Sequence, residues 1–175
     1  MKAIVAARRF LMPAAVVSLL CYVRFRAKVS PRAEIELSPN LKIGNGSQVA
    51  SFCKLKSSDG PLEIGSNTDI ATGCFLAANE GGLRIGNDVL IGPNCTIVSN
   101  SYIFDDITRP IRDQGKRSIG TRIGNNVMLG AGVVVLDGSQ IEDGAIVTPN
   151  SVVSGHVQSN SIVQGNPARL IFRRR

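Results

Sequence analysis

A chain of 175 residues with 43 % apolar side chains is long enough for one domain with its own core. Tryptophan is absent and aromatics make up 5 %, so that core has to be aliphatic. The net charge of +7 sits in the ends: residues 1–28 hold six basic side chains and no acid, residues 169–175 hold four arginines, and the body between carries 10 basic and 13 acidic residues. Such tails suit an anionic surface or serve as solubilising end charges, and the lack of a reading helix or an aromatic-lined basic groove argues against nucleic acid.

Residues 1–28 form a basic and apolar N-terminal unit. The run "FLMPAAVVSLLCYV" (10–23) is too short to span a bilayer and contains Pro13. "RFRAK" follows it where a signal peptide would carry a small-residue cleavage site. A helix over 5–28 is expected, and two roles stay open for it: a cap on the domain, or an amphipathic segment at a membrane interface.

From residue 43 the chain repeats every six residues. Aliphatic side chains fall at Ile43, Val49 and Leu55, at Ile64, Ile70 and Leu76, and at Ile85, Ile91 and Ile97; the series resumes at Ile123, Leu129, Val135, Ile141, Val147 and Val153. Two residues before them stand Cys53, Thr68, Cys74, Val89, Cys95, Val127, Val133, Ser139, Ala145 and Ser151, most of them small. Steps of six rotate around a 3.6-residue helix, so no helical face keeps this pattern. Short strands keep it if three hexapeptides close one triangular coil, with the aliphatic side chain inside and the small one in the corner. Cys53, Cys74 and Cys95, 21 residues apart, then stack one per coil as core thiols. They offer no CxxC spacing and no histidine partner, so neither a disulfide framework nor a metal site is expected, and no oxidising compartment is required.

Three insertions leave after the same column. Leu55 to Ile64 and Leu76 to Ile85 take nine residues each, and Ile97 to Ile123 takes twenty-six. The last contains "IVSNSYIFDDITRPIRDQG" (97–115), in an extended loop over 98–122. A ridge of loops on one edge of a stacked scaffold is where binding and chemistry belong.

Over residues 29–172 the sequence resembles the hexapeptide-repeat acyltransferases. "IGPNCTIVSNSYIFDD" with "RPIRDQG", then "IGNNVMLGAGVVVLDG", and the closing "GNPARLI" are most similar to the maltose, galactoside and polysaccharide O-acetyltransferase branch. The resemblance implies an all-β fold: a left-handed parallel β-helix over 29–165, with an N-terminal helical cap and a short C-terminal helix in the basic segment 166–175. It implies a homotrimer that moves an acetyl group from acetyl-CoA, as co-substrate, to a hydroxyl of a saccharide or glycolipid. It places the oxyanion donor at the backbone of Ala131 and cofactor contacts at Gly130, Ala131, Ser154, Asn166, Pro167 and Arg169. The tails then put the chain in the cytoplasm, peripheral to the inner face of the membrane.

Three positions depart from that branch. Tyr102 stands where the catalytic histidine belongs, Met128 where a tryptophan is common, and "SGH" (154–156) where Thr-Lys-Asp is usual. Loss of a general base typically costs about 10²–10⁴ in rate. Asp105 and Asp106 are the candidate substitutes, provided a dry site raises their pKa. His156, the one histidine, falls two coils beyond Tyr102, about 10 Å away. Two functions remain: an O-acetyltransferase with Tyr102 in the base's place, or a catalytically impaired β-helix that binds a saccharide or serves as a scaffold.

Overall fold

The computed structural model describes residues 12–174. Three parallel ladders make a three-sided prism. Face A stacks Lys28–Val29, Gln48–Val49, Asp69–Ile70, Leu90–Ile91, Met128–Leu129, Ile146–Val147 and Ser161–Gln164. Face B runs from Glu34–Ile35 to Val152–Val153 and face C from Leu41–Ile43 to His156–Val157, with six strands each. The repeat therefore begins two strands before Ile43, in the same coil, with Val29 and Ile35 buried in register beneath Val49 and Leu55.

The hexapeptide pattern explains the prism. On face A the inward column is Val29, Val49, Ile70, Ile91, Leu129, Val147 and Val163, paired neighbour to neighbour and none more than 7 % exposed. The corner residues Cys53, Thr68, Cys74, Val89, Cys95, Val127, Val133, Ser139, Ala145 and Ser151 are all buried. Their side chains turn inward where the chain bends, so a large one would have no room. On the edge between faces A and B, Gly73, Asn94, Gly132 and Asn150 supply the positive φ that the bend needs. A Cβ on Gly132 would lie 2.5 Å from the Asn150 carboxamide oxygen of the next coil, so these two residue types interlock.

The three stacked thiols each donate to a carbonyl of the following coil: Cys53 to Ala71 (3.0 Å), Cys74 to Gly92 (3.2 Å) and Cys95 to Gly130 (3.1 Å). Its hydrogen bond to Cys74, then burial, pushes the Cys53 thiol far above its ordinary value, and burial raises Cys21. All four cysteines are free and buried. A thiol-reactive disulfide reagent at mild pH is therefore expected to find no fast-reacting thiol in the native protein and four after denaturation. A thiol that reacts natively at the rate of free cysteine would show that the prism opens.

Helix α1 (Ala14–Phe25) closes one end. The carbonyl of Pro13 accepts from Val16 and Val17, and Arg26, at φ 53°, stops the helix with its N–H on Tyr22. The part of the expected 5–28 helix that precedes residue 12 lies outside the described residues. At the other end a strand, Arg169–Arg173, stands in place of the expected short helix. The turn through Gly165 reverses the chain, and this segment pairs antiparallel with Ser161–Gln164, covering the open edge of face A. The described parts of the two basic segments therefore lie at opposite ends of the prism, about 30 Å apart at 4.8 Å per layer.

All three insertions leave from the edge between faces B and C. The longest contains a two-stranded antiparallel hairpin, Ser101–Tyr102 against Lys116–Arg117, and a 3₁₀ turn at Ile111–Asp113.

Candidate functional site

Gly130 and Ala131 form a corner on the A–B edge. The residues equivalent to Ala131 in the coils before and after it are Pro93 and Pro149, which have no N–H to offer. The Gly130 carbonyl accepts the buried Cys95 thiol, so it points inward. A trans peptide puts the N–H opposite the C=O, and the Ala131 N–H accordingly points out of the prism. It has no acceptor among the described residues. Gly130 has a structural reason as well: a Cβ there would come within 2.5 Å of the Pro149 nitrogen and 2.7 Å of its ring.

This corner borders a groove of about 910 Å³ along face A. The groove runs from Ser18 and Tyr22 of α1 to Pro149, and Leu90 and Met128 line it half-exposed. Face C is different in kind: its outer surface carries a ladder in which Glu63 bridges Lys42 (2.8 Å) and Arg84 (3.3 Å). An apolar groove on one face and an ionic ladder on another make face A the side suited to a ligand or a partner.

The hairpin lies on a different edge. Tyr102 is half-exposed, and the Lys116 ammonium sits 4.7 Å from the centroid of its ring. At the hairpin base, a notch of about 390 Å³ is lined by Asp59, Asn79, Glu80, Asn100, Lys116 and Arg117, together with serines. Its size and its mixture of amides, carboxylates and cations suit a polyhydroxylated molecule.

Asp106 does not meet the condition set for a substitute base. Its Oδ1 accepts from the Thr108 hydroxyl (2.6 Å) and N–H (2.9 Å) in full solvent, and the hydroxyl first, the N–H second, hold its carboxyl below the ordinary aspartate value. A carboxylate with a lowered pKa is a weaker base, so Asp106 is a turn-forming residue. Gln114 completes that turn, accepting from the Asp106 N–H and donating to the carbonyls of Asp106 and Arg109. Asp105 is exposed on the same loop.

The expected cofactor contacts are divided between edges. Asn166 and Pro167 turn on the A–B edge two layers beyond Ala131, and Arg169 opens the last strand. Ser154 lies on the B–C edge, exposed, so one chain does not bring it to Gly130. His156 begins the last strand of face C, with Nε2 2.7 Å from Glu142 Oε1. That hydrogen bond, then the Ser159 N–H, holds Glu142 below its ordinary value. The pair is two coils from the hairpin and does not touch it.

Sequence reasoning missed Lys116 and Gln114. Tyr102 faces Lys116 only because the hairpin pairs them across thirteen intervening residues, and no periodicity marks that pairing.

Residues 120–155 match the model of the bacterial transferase hexapeptide family (six repeats). No curated protein sequence matches the chain. Among solved structures, an N-acyltransferase from Bacillus cereus, determined with dTDP and coenzyme A, superposes with a TM-score of 0.78 at 23 % identity over 90 % of this chain and 88 % of that one. A perosamine N-acetyltransferase from Caulobacter crescentus, with coenzyme A and GDP-perosamine, gives 0.62 at 21 % identity over 82 % and 55 %. A maltose O-acetyltransferase from Clostridium difficile gives 0.53 at 22 % identity over 83 % and 63 %. The chain is a left-handed parallel β-helix of hexapeptide repeats, and residues 120–155, from the last strand of its fourth coil into its sixth, carry the bacterial transferase hexapeptide pattern.

Proposed function

We propose that this protein is an acyltransferase that moves an acetyl group from acetyl-CoA to a saccharide, working as a homotrimer. The observation that carries the reading is the outward, unengaged N–H of Ala131 beside a long apolar groove. The groove covers six layers, about 24 Å, which suits an extended pantetheine arm. The thioester supplies the activated acyl carbon. When an acceptor hydroxyl forms its new bond to that carbon, the carbonyl oxygen gains charge, and a fixed N–H aimed at it stabilises that charge without reorganising. The carbon–sulfur bond then breaks, and coenzyme A leaves as a thiol carrying the proton the hydroxyl has lost.

The polar notch and Tyr102 suit the acceptor. Lys116 sits against the Tyr102 ring, and the side chain is half-exposed, which leaves ring surface to stack on a sugar. Within one chain the notch is on the B–C edge and Ala131 is on the A–B edge, so a complete site requires the B–C edge of one copy to meet the A–B edge of the next. A ring of three prisms satisfies that geometry.

A second reading, with nitrogen as the attacking atom, is favoured by one observation: among the described residues the hairpin holds no imidazole, and its Asp106 is held ionised. A hydroxyl is a poor nucleophile unless a base takes its proton as it attacks, whereas a neutral amine attacks unaided and gives up its proton after the new bond has formed. The Bacillus cereus N-acyltransferase has also been determined with dTDP-4-amino-4,6-dideoxyglucose, and the perosamine N-acetyltransferase with GDP-perosamine, which fits that reading.

Incubation with acetyl-CoA and a panel of sugars and amino sugars tests both. Release of free thiol that depends on one acceptor is expected, with the acetyl group on oxygen if mild alkali removes it and on nitrogen if it survives. No saturable binding of coenzyme A by calorimetry would leave the scaffold reading in place of either.

A further inference from the structure

We propose that the α1 end of the prism docks on an anionic lipid surface. Helix α1 is apolar on two sides. Val17, Cys21 and Phe25, at i, i+4 and i+8, pack on the core. Val16, Leu19, Leu20 and Val23, at i, i+3, i+4 and i+7, form a second stripe that faces away from it, 40 to 71 % exposed. A helix that only caps a prism needs the first stripe and gains nothing from the second. Tyr22, 58 % exposed, borders the outer stripe with an apolar ring and a polar hydroxyl.

Charge identifies the occupant. No acid precedes Glu34, whereas Lys2, Arg8, Arg9, Arg24, Arg26, Lys28 and Arg32 do. Arg26 and Lys28 are exposed and make no side-chain hydrogen bond or ion pair among the described residues. A second copy seated on this stripe would bring like charges together, whereas anionic headgroups complement them. Apolar side chains inserted at the headgroup level with cations beside them are how an interfacial helix binds. The helix has 12 residues, and no described helix is long and apolar enough to cross a membrane.

The opposite end supplies the control. Leu170, Ile171 and Phe172 are also exposed beside Arg169 and Arg173. There, however, two of the arginines are engaged on the prism itself, Arg173 with Gln158 and Arg174 with the Gly144 carbonyl. With the two ends about 30 Å apart, a prism standing on a membrane uses one of them.

Flotation of the full-length protein with phosphatidylcholine vesicles, with and without phosphatidylserine, tests the proposal. Binding to the anionic vesicles is expected to exceed binding to the neutral ones about 10²-fold, and to fall with added salt. The pair Leu19→Glu and Val23→Glu should abolish it, with coenzyme A binding and the circular dichroism spectrum unchanged. The pair Leu170→Glu and Phe172→Glu should leave it intact. Equal binding to both vesicle types, no binding, or loss in the second pair alone would overturn the proposal. So would a smaller oligomer in sedimentation for the α1 pair, because the stripe would then be covered by another copy.

Discussion

Ala131→Pro is expected to lower kcat about 10²–10³-fold while the melting temperature stays close to that of the parent, the size of effect seen when one oxyanion donor is removed. Proline is ordinarily a destructive probe, but here the coils themselves show that it fits. Pro93 and Pro149 occupy the equivalent corner directly below and above. Pro149 rests its ring over Gly130, and a ring at position 131 would rest over Gly92, which likewise has no Cβ to obstruct it. The substitution thus removes one N–H that no described acceptor uses and changes little else. Ala131→Gly, which keeps the N–H, should retain most of the activity. If Ala131→Pro turns over like the parent, the Ala131 amide is not facing the reacting carbonyl, and the groove along face A loses its chemical role.

The prism was legible because its code is local and repeated. A buried aliphatic residue at Val49, Ile70, Ile91, Leu129 and Val147 needs no knowledge of distant contacts, since each coil poses the same packing problem and meets it with the same residue types. Cys53, Cys74 and Cys95 could be read as core for the same reason. The C-terminal strand was not legible: "RLIFR" carries no pattern that separates helix from strand in five residues, and its conformation is decided by an unpaired edge of face A that only the finished prism presents. The hairpin resisted for a related reason. Its contacts, Lys116 on Tyr102 and Gln114 on Asp106, join residues that share no repeat position. Asp106 is the instructive case, because the sequence supplied a carboxylate near the right place but not the Thr108 hydroxyl that makes it a poor base.

Tyr102→His is expected to raise acetyl transfer to a hydroxyl acceptor about 10²–10⁴-fold, the usual contribution of a general base. The argument is geometric and electrostatic. Residue 102 is held by a paired hairpin strand, so a replacement side chain starts from the same backbone position. Lys116, whose ammonium lies 4.7 Å from the present ring centroid, would then stand beside an imidazole. A like charge disfavours protonation, so the introduced imidazole should titrate below the ordinary histidine value of about 6.5 and be free to accept a proton at neutral pH. The sign follows: the rate gained by Tyr102→His should rise with pH through a midpoint below about 6.5, level off above it, and be lost as acid protonates the ring. Adding Lys116→Gln should move that rise to higher pH without removing the plateau. If turnover of hydroxyl acceptors is unchanged while coenzyme A still binds, the missing imidazole is not what limits the site. Combined with alkali-stable product from an amino sugar, that result would make nitrogen the acceptor atom and Tyr102 a stacking residue from the start.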